Sequence, residues 1–283
     1  MTMTNNVPNG SYFKRRLERM TDDEFLRLSL YIKEKYGLNL EGRQTMVESR
    51  LFNYVSDRGF NSYTEYLNAL FCEEGEGEMA NIINRLTTNY TYFLREQEHF
   101  EHFTKVFLPE MEQKITGDEL CIWSAGCSFG NEAYSFAACM EDYFADRQNN
   151  WDRKILATDI SRNALLAAKR GSYAKAAVEP LPRRWKKQFF IEHNGIYTVN
   201  ERLRSQVVFK YHNLMDPINF KKKFDLIICR NVMIYFEKET IVQLIQRFYD
   251  ATNEGGYLYI GHAEAIPAEC PYKRVQSAIY RKE

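Results

Sequence analysis

The sequence of 283 residues predicts an α/β protein, with a mostly parallel sheet, an all-helical N-terminal domain and a small inserted β-subdomain. Three observations support this prediction. Apolar residues recur at helical spacing behind capping signals over about the first 110 residues. After Gly117, short apolar runs alternate with helical segments, which is typical of βαβ units. Asn194-Gly195 lies between two apolar segments and indicates a hairpin.

The N-terminal helices are predicted from their caps. Thr21 and Glu24 form a capping box, and the helix that they begin should end at Gly37. A second helix covers 46–55, and Ser62 with Glu65 repeats the capping pattern before a third. We predict a solvated turn where four acids interleave with two glycines: Glu73, Glu74, Gly75, Glu76, Gly77 and Glu78.

The strands are predicted from apolar runs that do not alternate with polar residues. Such runs fit strands buried on both faces of a parallel sheet with helices on both sides. The runs are LCIWSA, KILAT, VVFKY, FDLIIC and GGYLYIGHA. We therefore predict a helical domain over 11–110 and a sheet domain over 111–283, with the inserted hairpin subdomain around 172–206.

Composition excludes several classes of protein. Lys+Arg and Asp+Glu both number 38, so the chain lacks the basic excess that general nucleic-acid binding requires. There is no apolar run long enough to cross a bilayer and no secretory signal, which predicts a cytoplasmic protein without membrane insertion. The six cysteines contain no C-x-x-C pair, so we expect free thiols. The segment 169–210 carries ten basic residues against three acids, which fits either an acidic partner or a solvated face.

The turn after the first predicted strand, Ala125 to Glu132, is a candidate binding site. A glycine turn here brings backbone amides and a helix N-terminus to the sheet's switch point, where ligands bind in open α/β folds. The spacing from Gly126 to Gly130 is G-x-x-x-G, not the dinucleotide G-x-G-x-x-G, so a nicotinamide dehydrogenase lacks its fingerprint. A phosphate-free ligand fits better, although a plain strand-to-helix connection is the alternative.

Asp159 ends the second predicted strand, where its carboxylate can accept hydrogen bonds from both hydroxyls of a ribose. Helix capping is the competing role, but Ser161 can already cap the next helix. S-adenosylmethionine has a ribose, an adenine and a charged amino-acid tail but no phosphate. The glycine turn and the strand-end acid together therefore favour a methyltransferase.

Several motifs carry a family resemblance. They are NYTYFLR ending at Arg95, WSAGCSFGNEAYS, ATD ending at Asp159, HNL around Asn213, CRNVMIYF, and GHAE ending at Glu264. In this order, from about residue 20 to 280, the sequence resembles the CheR family of chemotaxis receptor methyltransferases. The resemblance implies a class I S-adenosylmethionine-dependent methyltransferase sheet, Rossmann-like, behind a helical receptor-recognition domain, which agrees with the organisation read from the patterns.

The resemblance also implies site residues. Those implied to contact S-adenosylmethionine are Asn89, Thr91, Arg95, Glu132, Asp159, Asn213, Leu214, Arg230 and Asn231. We add Gly126 to the cofactor-binding residues, because a glycine in this turn lets the backbone approach the ligand closely. By group chemistry, Glu132 can pair with the cofactor's ammonium, Asp159 with its ribose and Asn213 with its adenine. The implied substrate is a glutamate of a chemoreceptor's cytoplasmic helical bundle, converted to a γ-methyl ester with S-adenosylhomocysteine as the other product. Arg95 and Tyr235 are the candidate catalytic residues that hold this carboxylate.

The sequence departs from the family pattern in places. Asn131 and Ala133 replace a glutamate and a proline of the first motif, and the basic residues of the second helix are reduced to Arg43 and Arg50. The hairpin around Asn194 is short, so we predict no tether to a receptor's C-terminal pentapeptide. Another substrate for the same fold, or a cofactor-binding sensor without catalysis, are the alternatives. We expect a monomer.

His99, His102 and Cys127 are three further candidates for chemistry. His99 and His102 are three residues apart, but no nearby Cys, Asp or Glu completes a ligand set, so we predict surface or packed histidines and no metal. Cys127 lies in the glycine turn at a helix N-terminus, where a thiol pKa can fall. Methyl transfer requires no such nucleophile, so we interpret Cys127 as part of the cavity lining.

Overall fold

A computed structural model describes residues 17–72, 76–87, 89–114, 117, 119–147 and 151–283. Two hydrophobic regions organise the chain. The first is a helical core from Leu17 to Leu86, and the second surrounds a large sheet and begins at Phe93. The helices thus have a core of their own, and the sheet has one core on each face.

The described residues of the helical domain form four helices: α1 (Asp22–Tyr36), α2 (Gln44–Asp57), α3 (Tyr63–Leu70) and α4 (Glu76–Leu86). The predicted caps are present. Thr21 and Glu24 form both bonds of a capping box, and Gly37 ends α1 in the left-handed conformation, with φ 72°. Ser62 accepts a hydrogen bond from the Glu65 backbone, so α3 also begins where predicted. These local signals fix the helix ends, and apolar faces such as that of Leu28 and Ile32 form the core.

The predicted acidic turn is wrong at its C-terminal end. Glu73, Glu74 and Gly75 lie outside the described residues, but Glu78 lies in α4 and accepts hydrogen bonds from the Tyr54 and Tyr66 hydroxyls at 3.0 and 2.9 Å. Its carboxylate is a packed acceptor inside the helical domain.

The chain passes from the helical core to the sheet core well before residue 110, where the domain boundary is predicted. Helix α5 (Gln97–His102), a π-helical turn (Phe103–Phe107) and α6 (Leu108–Lys114) all contribute side chains to the sheet core. Their buried phenylalanines, Phe100, Phe103 and Phe107, pack in the sheet core. Residues 11–16 lie outside the described residues.

The large sheet has seven strands in the order β6-β2-β1-β7-β8-β10-β9. Their bounds are β1 Ile122–Ala125, β2 Ile155–Asp159, β6 Val207–Tyr211, β7 Phe224–Cys229, β8 Thr252–Ile260, β9 Lys273–Gln276 and β10 Ile279–Arg281. The first five in this order pair in parallel, which confirms the predicted sheet. The antiparallel pair β9–β10 at the edge was not predicted.

Helices cover both faces of this sheet. Alternate residues of one strand enter different cores: Ile122 packs in the core with α7 (Asn131–Tyr143), and Trp123 packs in the core with α12 (Lys238–Ala251). Helix α8 (Arg162–Arg170) follows β2. Burial on both faces explains why the strand sequences are apolar without alternation.

The inserted subdomain is a three-stranded sheet rather than a hairpin alone. Its strands are β3 (Ser172–Ala174), β4 (Phe190–His193) and β5 (Ile196–Val199), in the order β3-β5-β4, and short helices α9 (Lys175–Val178), α10 (Arg183–Phe189) and α11 (Glu201–Arg204) complete it. The predicted turn is present, with φ 49° at Asn194 and 78° at Gly195.

Two predictions from composition concern the whole chain. All six cysteines are free thiols, as expected. Within the described part of the chain, no helix combines the length and the apolar character needed to cross a bilayer.

Candidate active site

A cavity of about 1140 Å³, counting its part open to solvent, lies at the carboxyl ends of β1, β2 and β7 and is covered by the helical domain. Ligands bind at this position in open α/β sheets, because the strand order reverses there. All eleven residues that the sequence assigned to the site line this cavity. They are Asn89, Thr91, Arg95, Gly126, Glu132, Asp159, Asn213, Leu214, Arg230, Asn231 and Tyr235. The structure brings the predicted set together, while their individual roles stay predictions.

The glycine turn after β1 is packed tightly against the turn after β7. Gly126 has φ +91°, and a Cβ on it would lie 2.4 Å from Cγ2 of Val232. The amides of Gly126 and Cys127 both donate to the Thr158 carbonyl at 2.8 Å, which anchors the turn to the end of β2. Glycine is therefore required here for both its backbone conformation and its lack of a side chain.

Asp159 is buried at the end of β2, with its carboxylate fixed by backbone amides. One oxygen accepts from Ser128 N at 2.8 Å and the other from Ser161 N at 2.7 Å. Burial raises the pKa of Asp159, and these hydrogen bonds oppose the rise. Ser161 caps α8 as predicted. Asp159 already has these two amide partners, but each of its oxygens can still accept a hydrogen bond from a ligand hydroxyl.

Arg230 lies at the centre of a buried ionic network beside the cavity. Its guanidinium, with 2% of the side chain exposed, pairs with Glu132 and Glu96 at 3.2 Å each and donates to the Arg95 carbonyl. The other oxygen of Glu132 accepts from the Ser124 hydroxyl at 2.7 Å. Two carboxylates facing one guanidinium leave a net negative charge, which suits the ammonium of a bound amino-acid tail.

The two carboxylates of this network differ in acidity. Burial raises the pKa of Glu132, and the charge of Arg230 opposes this rise. Burial also acts upward on Glu96, but the adjacent His99 ring and the charge of Arg230 outweigh it and lower the pKa of Glu96 to about 2. The sequence analysis missed Glu96. Its only local signal is its position directly after the NYTYFLR motif, since its partner Arg230 is distant in sequence.

Left-handed backbone conformations concentrate around the cavity. Six non-glycine residues of the described chain have positive φ, and four of them flank this site: Leu94, Glu96, Ser128 and Asn231. Each such residue costs on the order of 1–3 kcal/mol and persists only where its surroundings impose it. Glu264 imposes it at the turn after β7, because its carboxylate accepts from the amides of Asn231 and Met233 at 2.9 and 2.7 Å. Glu264 ends the GHAE motif, to which the sequence alone assigns no role.

Asn213 joins the sheet to the helical domain. Its side-chain amide donates to the Lys35 carbonyl at 2.7 Å, and its oxygen accepts from Met215 N at 3.0 Å. The predicted contact with adenine therefore has one remaining N–H available. One N–H of Asn213 is used in the contact with the helical domain. The sequence alone did not predict this contact.

The two candidate catalytic residues are half-buried in the cavity lining. Arg95 donates to the Tyr90 carbonyl at 3.1 Å, and its guanidinium lies 5.7 Å from the centre of the Tyr92 ring. Tyr235 ends a 3₁₀ turn (Met233–Tyr235), its carbonyl accepts from Asn39 N at 2.8 Å, and the Arg43 guanidinium lies 5.6 Å from its ring centre. A side chain of the helical domain thus borders the site at Tyr235.

The remaining candidates are buried. His99 and His102 are packed rather than on the surface, and His102 shares a 2.6 Å hydrogen bond with the Tyr259 hydroxyl. Next to His99 lie Glu96, three residues earlier in the chain, and His262 of the loop after β8. Burial raises the pKa of Cys127 well above its usual value, so its thiol stays neutral and lines the cavity.

Comparison with known proteins agrees with this geometry. Residues 89–280 match the family model described as the CheR methyltransferase SAM-binding domain. The protein is an S-adenosylmethionine-dependent methyltransferase. Residues 23–87 match the model described as the CheR methyltransferase all-alpha domain, and the chain belongs to the CheR methyltransferase family.

Relatives match over nearly the whole chain. A chemotaxis protein methyltransferase of Borreliella burgdorferi is 38% identical, covering 93% of this chain and 95% of the relative. A probable chemotaxis protein methyltransferase of Rhizobium etli is 36% identical over 82% of this chain and 88% of its own length. The chemotaxis protein methyltransferase of Salmonella typhimurium is 32% identical, with 93% and 92% covered.

Proposed function

We propose that this protein transfers a methyl group from S-adenosylmethionine to glutamate side chains of chemoreceptor cytoplasmic domains, giving γ-methyl esters. The observation that carries the proposal is that Arg95 and Tyr235, two groups able to hold a carboxylate, line the same cavity as Glu132 and Asp159. The relatives named as chemotaxis methyltransferases support the choice of substrate.

The donor set of the cavity fits the cofactor. Asp159 keeps two acceptor positions for ribose hydroxyls, and the Glu132–Arg230–Glu96 network presents net negative charge to an ammonium. Bound S-adenosylmethionine supplies an electrophilic methyl carbon on a positively charged sulfur. Asp159 and Glu132 would hold its two ends.

The transfer requires little acid–base chemistry. A glutamate with a pKa of about 4.3 is already ionised at neutral pH, so no general base is needed. A carboxylate oxygen forms the ester bond to the methyl carbon as that carbon leaves sulfur, and no proton moves. Positioning the oxygen in line at roughly 3 Å is the main task of the protein.

Arg95 and Tyr235, which line the cavity, would position the carboxylate oxygen. The arginine can donate two hydrogen bonds to one carboxylate, and the tyrosine hydroxyl can orient its free oxygen. The grip must stay moderate, because a hydrogen bond that is stronger to the charged carboxylate than to the forming ester would slow the reaction. The Tyr90 and Tyr92 rings beside Arg95 limit the positions that its guanidinium can take.

The receptor would approach along the helical domain, which borders the cavity at Arg43 and Asn39. The β4–β5 turn consists of Asn194 and Gly195 alone, and on this ground we propose that no receptor pentapeptide is tethered there. Peptide titration tests this point, since micromolar affinity for such a pentapeptide would contradict it.

The function is tested by incubating the protein with methyl-labelled S-adenosylmethionine and receptor cytoplasmic fragments. We expect protein-bound label that mild base releases as methanol, because esters hydrolyse and methyl-lysine does not. Base-stable label would indicate another acceptor. Cofactor binding without methyl transfer to any of several receptor fragments would favour the alternative function, a cofactor-binding sensor without catalysis.

Two variants test the proposed positioning. Arg95→Ala and Tyr235→Phe should lower kcat/KM for the receptor by about 100-fold and 10-fold, since these are the amounts that a lost charged contact and a lost neutral one cost. Arg147→Ala and Tyr249→Phe, whose side chains lie outside the cavity, are the matched controls. Equal rates in the variants and their controls would remove Arg95 and Tyr235 from the mechanism.

A further variant tests whether Asp159 binds the ribose of the cofactor. Asp159→Asn replaces one of two charged acceptors for the ribose, which should weaken S-adenosylmethionine binding by about 2 kcal/mol, or roughly 30-fold. Isothermal titration calorimetry on the folded variant gives the dissociation constant. Unchanged affinity would show that the ribose does not contact Asp159.

A further inference from the structure

A second group of ligand-type side chains lies behind Arg230. Glu96, His99 and His262 each offer one ligand atom, and these atoms all lie within 4.8 Å of one another. Two of the residues come from the segment 96–99 and the third from the loop after β8. The loop is held there by its own backbone, because His262 N donates to Glu96 Oε1 at 3.3 Å.

The His99 ring is surrounded by acceptors. Its side chain is fully buried, Nε2 lies 3.4 Å from the Ala278 carbonyl, and Nδ1 lies 3.4 Å from Glu96 Oε2. Nδ1 makes no hydrogen bond of acceptable geometry. A neutral imidazole carries a single N–H, so either tautomer leaves one ring nitrogen with its lone pair directed at an oxygen. A cation at Nδ1 would remove this conflict.

Two cations can occupy that position. A proton on Nδ1 would engage Glu96 alone and would leave the nearby His262 nitrogen without a role. A divalent metal ion takes the neutral imidazole as it stands and adds the nearby carboxylate and second imidazole. The Arg230 guanidinium on Glu96 Oε2 would then hold the ligating carboxylate from outside, as hydrogen-bonding partners of metal ligands commonly do.

We propose that Glu96, His99 and His262 form a Zn²⁺-binding site behind the cofactor cavity. Two imidazoles and one carboxylate are a ligand set that Zn²⁺ accepts with a fourth position left for water. His262, with 38% of its side chain exposed, provides the route by which the ion enters. The bound ion would hold Glu96 in its left-handed conformation, with φ 58°, and so brace the residue that pairs with Arg230.

The test uses the full chain after chelation of bound metals, titrated with ZnCl₂ by calorimetry. We expect one Zn²⁺ per chain with micromolar or tighter affinity, and at least about tenfold weaker binding in His262→Ala. His193→Ala, which removes an exposed histidine of the β4–β5 hairpin, is the matched control and should bind as the parent does. Thermal melting should show a zinc-dependent rise in Tm for the parent and the control only.

Three results would overturn the site. The first is equal zinc affinity in the parent and His262→Ala. The second is a Co²⁺ absorption spectrum with thiolate charge-transfer bands, which would place the ion on cysteines. The third is ¹⁵N NMR of the zinc-free chain showing His99 as an imidazolium at neutral pH, since a proton would then already occupy Nδ1. None of these measurements depends on methyl transfer.

Discussion

Two glutamates of this protein, Glu78 and Glu96, each accept several hydrogen bonds inside the fold, yet their surroundings differ. Glu78, in the helical domain, is met by the hydroxyls of Tyr54 and Tyr66 and by the Arg58 guanidinium. It lies in a regular helix away from the cavity. Its carboxylate closes a packed cluster in which each of these partners is a donor.

Glu96 has conflicting neighbours. It occupies a left-handed conformation outside any helix and meets one buried guanidinium, that of Arg230. It also meets a histidine nitrogen without a satisfactory hydrogen bond. Backbone strain and an unsatisfied partner are costs that packing alone does not require. The comparison teaches that a buried carboxylate indicates function when such costs accompany it, and structure when they do not.

The largest expected effect comes from removing Arg230. Arg230→Met leaves Glu96 and Glu132 buried without their cation, so the free energy of unfolding should fall by about 3–5 kcal/mol. Urea denaturation measures this loss. Arg162→Met, on the exposed side of α8, should change stability by less than about 0.5 kcal/mol. A similar small change at Arg230 would mean that the two carboxylates are protonated in the native protein.

A smaller effect is expected at Glu78. Burial raises the pKa of Glu78, but hydrogen bonds from Tyr66, Tyr54, Asn81 and Arg58 outweigh this, so its pKa lies below 4.5 in the folded chain. Glu78→Gln should therefore cost about 2 kcal/mol at pH 7.

The pH dependence at Glu78 has a definite sign. A carboxylate with a lowered pKa stabilises the fold above its unfolded pKa and loses that contribution as pH falls. The stability difference between the parent and Glu78→Gln should therefore shrink as the pH drops below 4.5. Denaturation at several pH values checks this, with Glu34→Gln on the exposed face of α1 as control. A difference that grows toward acid pH would contradict the assignment.

The smallest effect is expected where the two regions join. Asn213→Ala removes the hydrogen bonds to Lys35 and Met215, which water can partly replace, so stability should fall by about 1 kcal/mol. Asn219→Ala, at an exposed position of the same loop, is the control. Calorimetric titration with S-adenosylmethionine sharpens the result: a roughly tenfold loss of affinity beyond the control supports the predicted adenine contact, and unchanged affinity limits Asn213 to joining the domains.

Sequence alone predicted the features that depend on local signals. The cap at Thr21, the turn at Asn194-Gly195 and the strand that ends at Asp159 are each specified by residues a few positions apart. The eleven residues assigned to the site line one cavity, and several of them lie at the ends of predicted strands, where parallel strands meet at one edge; their roles stay predictions.

The errors arise where distant residues decide the structure. Strand β9 was missed because all four of its residues are exposed at the sheet edge, so its sequence lacks an apolar run. Glu78 was placed in a turn because its acidic neighbours indicate solvent, whereas tyrosines from two other helices surround it. Glu96 gained its role from Arg230, which no local pattern connects to it.

The close approach of Gly126 and Val232 has a consequence for protein engineering. Because the two turns fill each other's space, random mutagenesis at position 126 should return glycine under any selection for the folded, active enzyme. A library that also varies Val232 should still return glycine at 126, because the φ of +91° there disfavours every residue with a side chain. Because Gly126 and Val232 fit against each other, the ends of β1 and β7 should be exchanged between enzymes of this fold only as a pair.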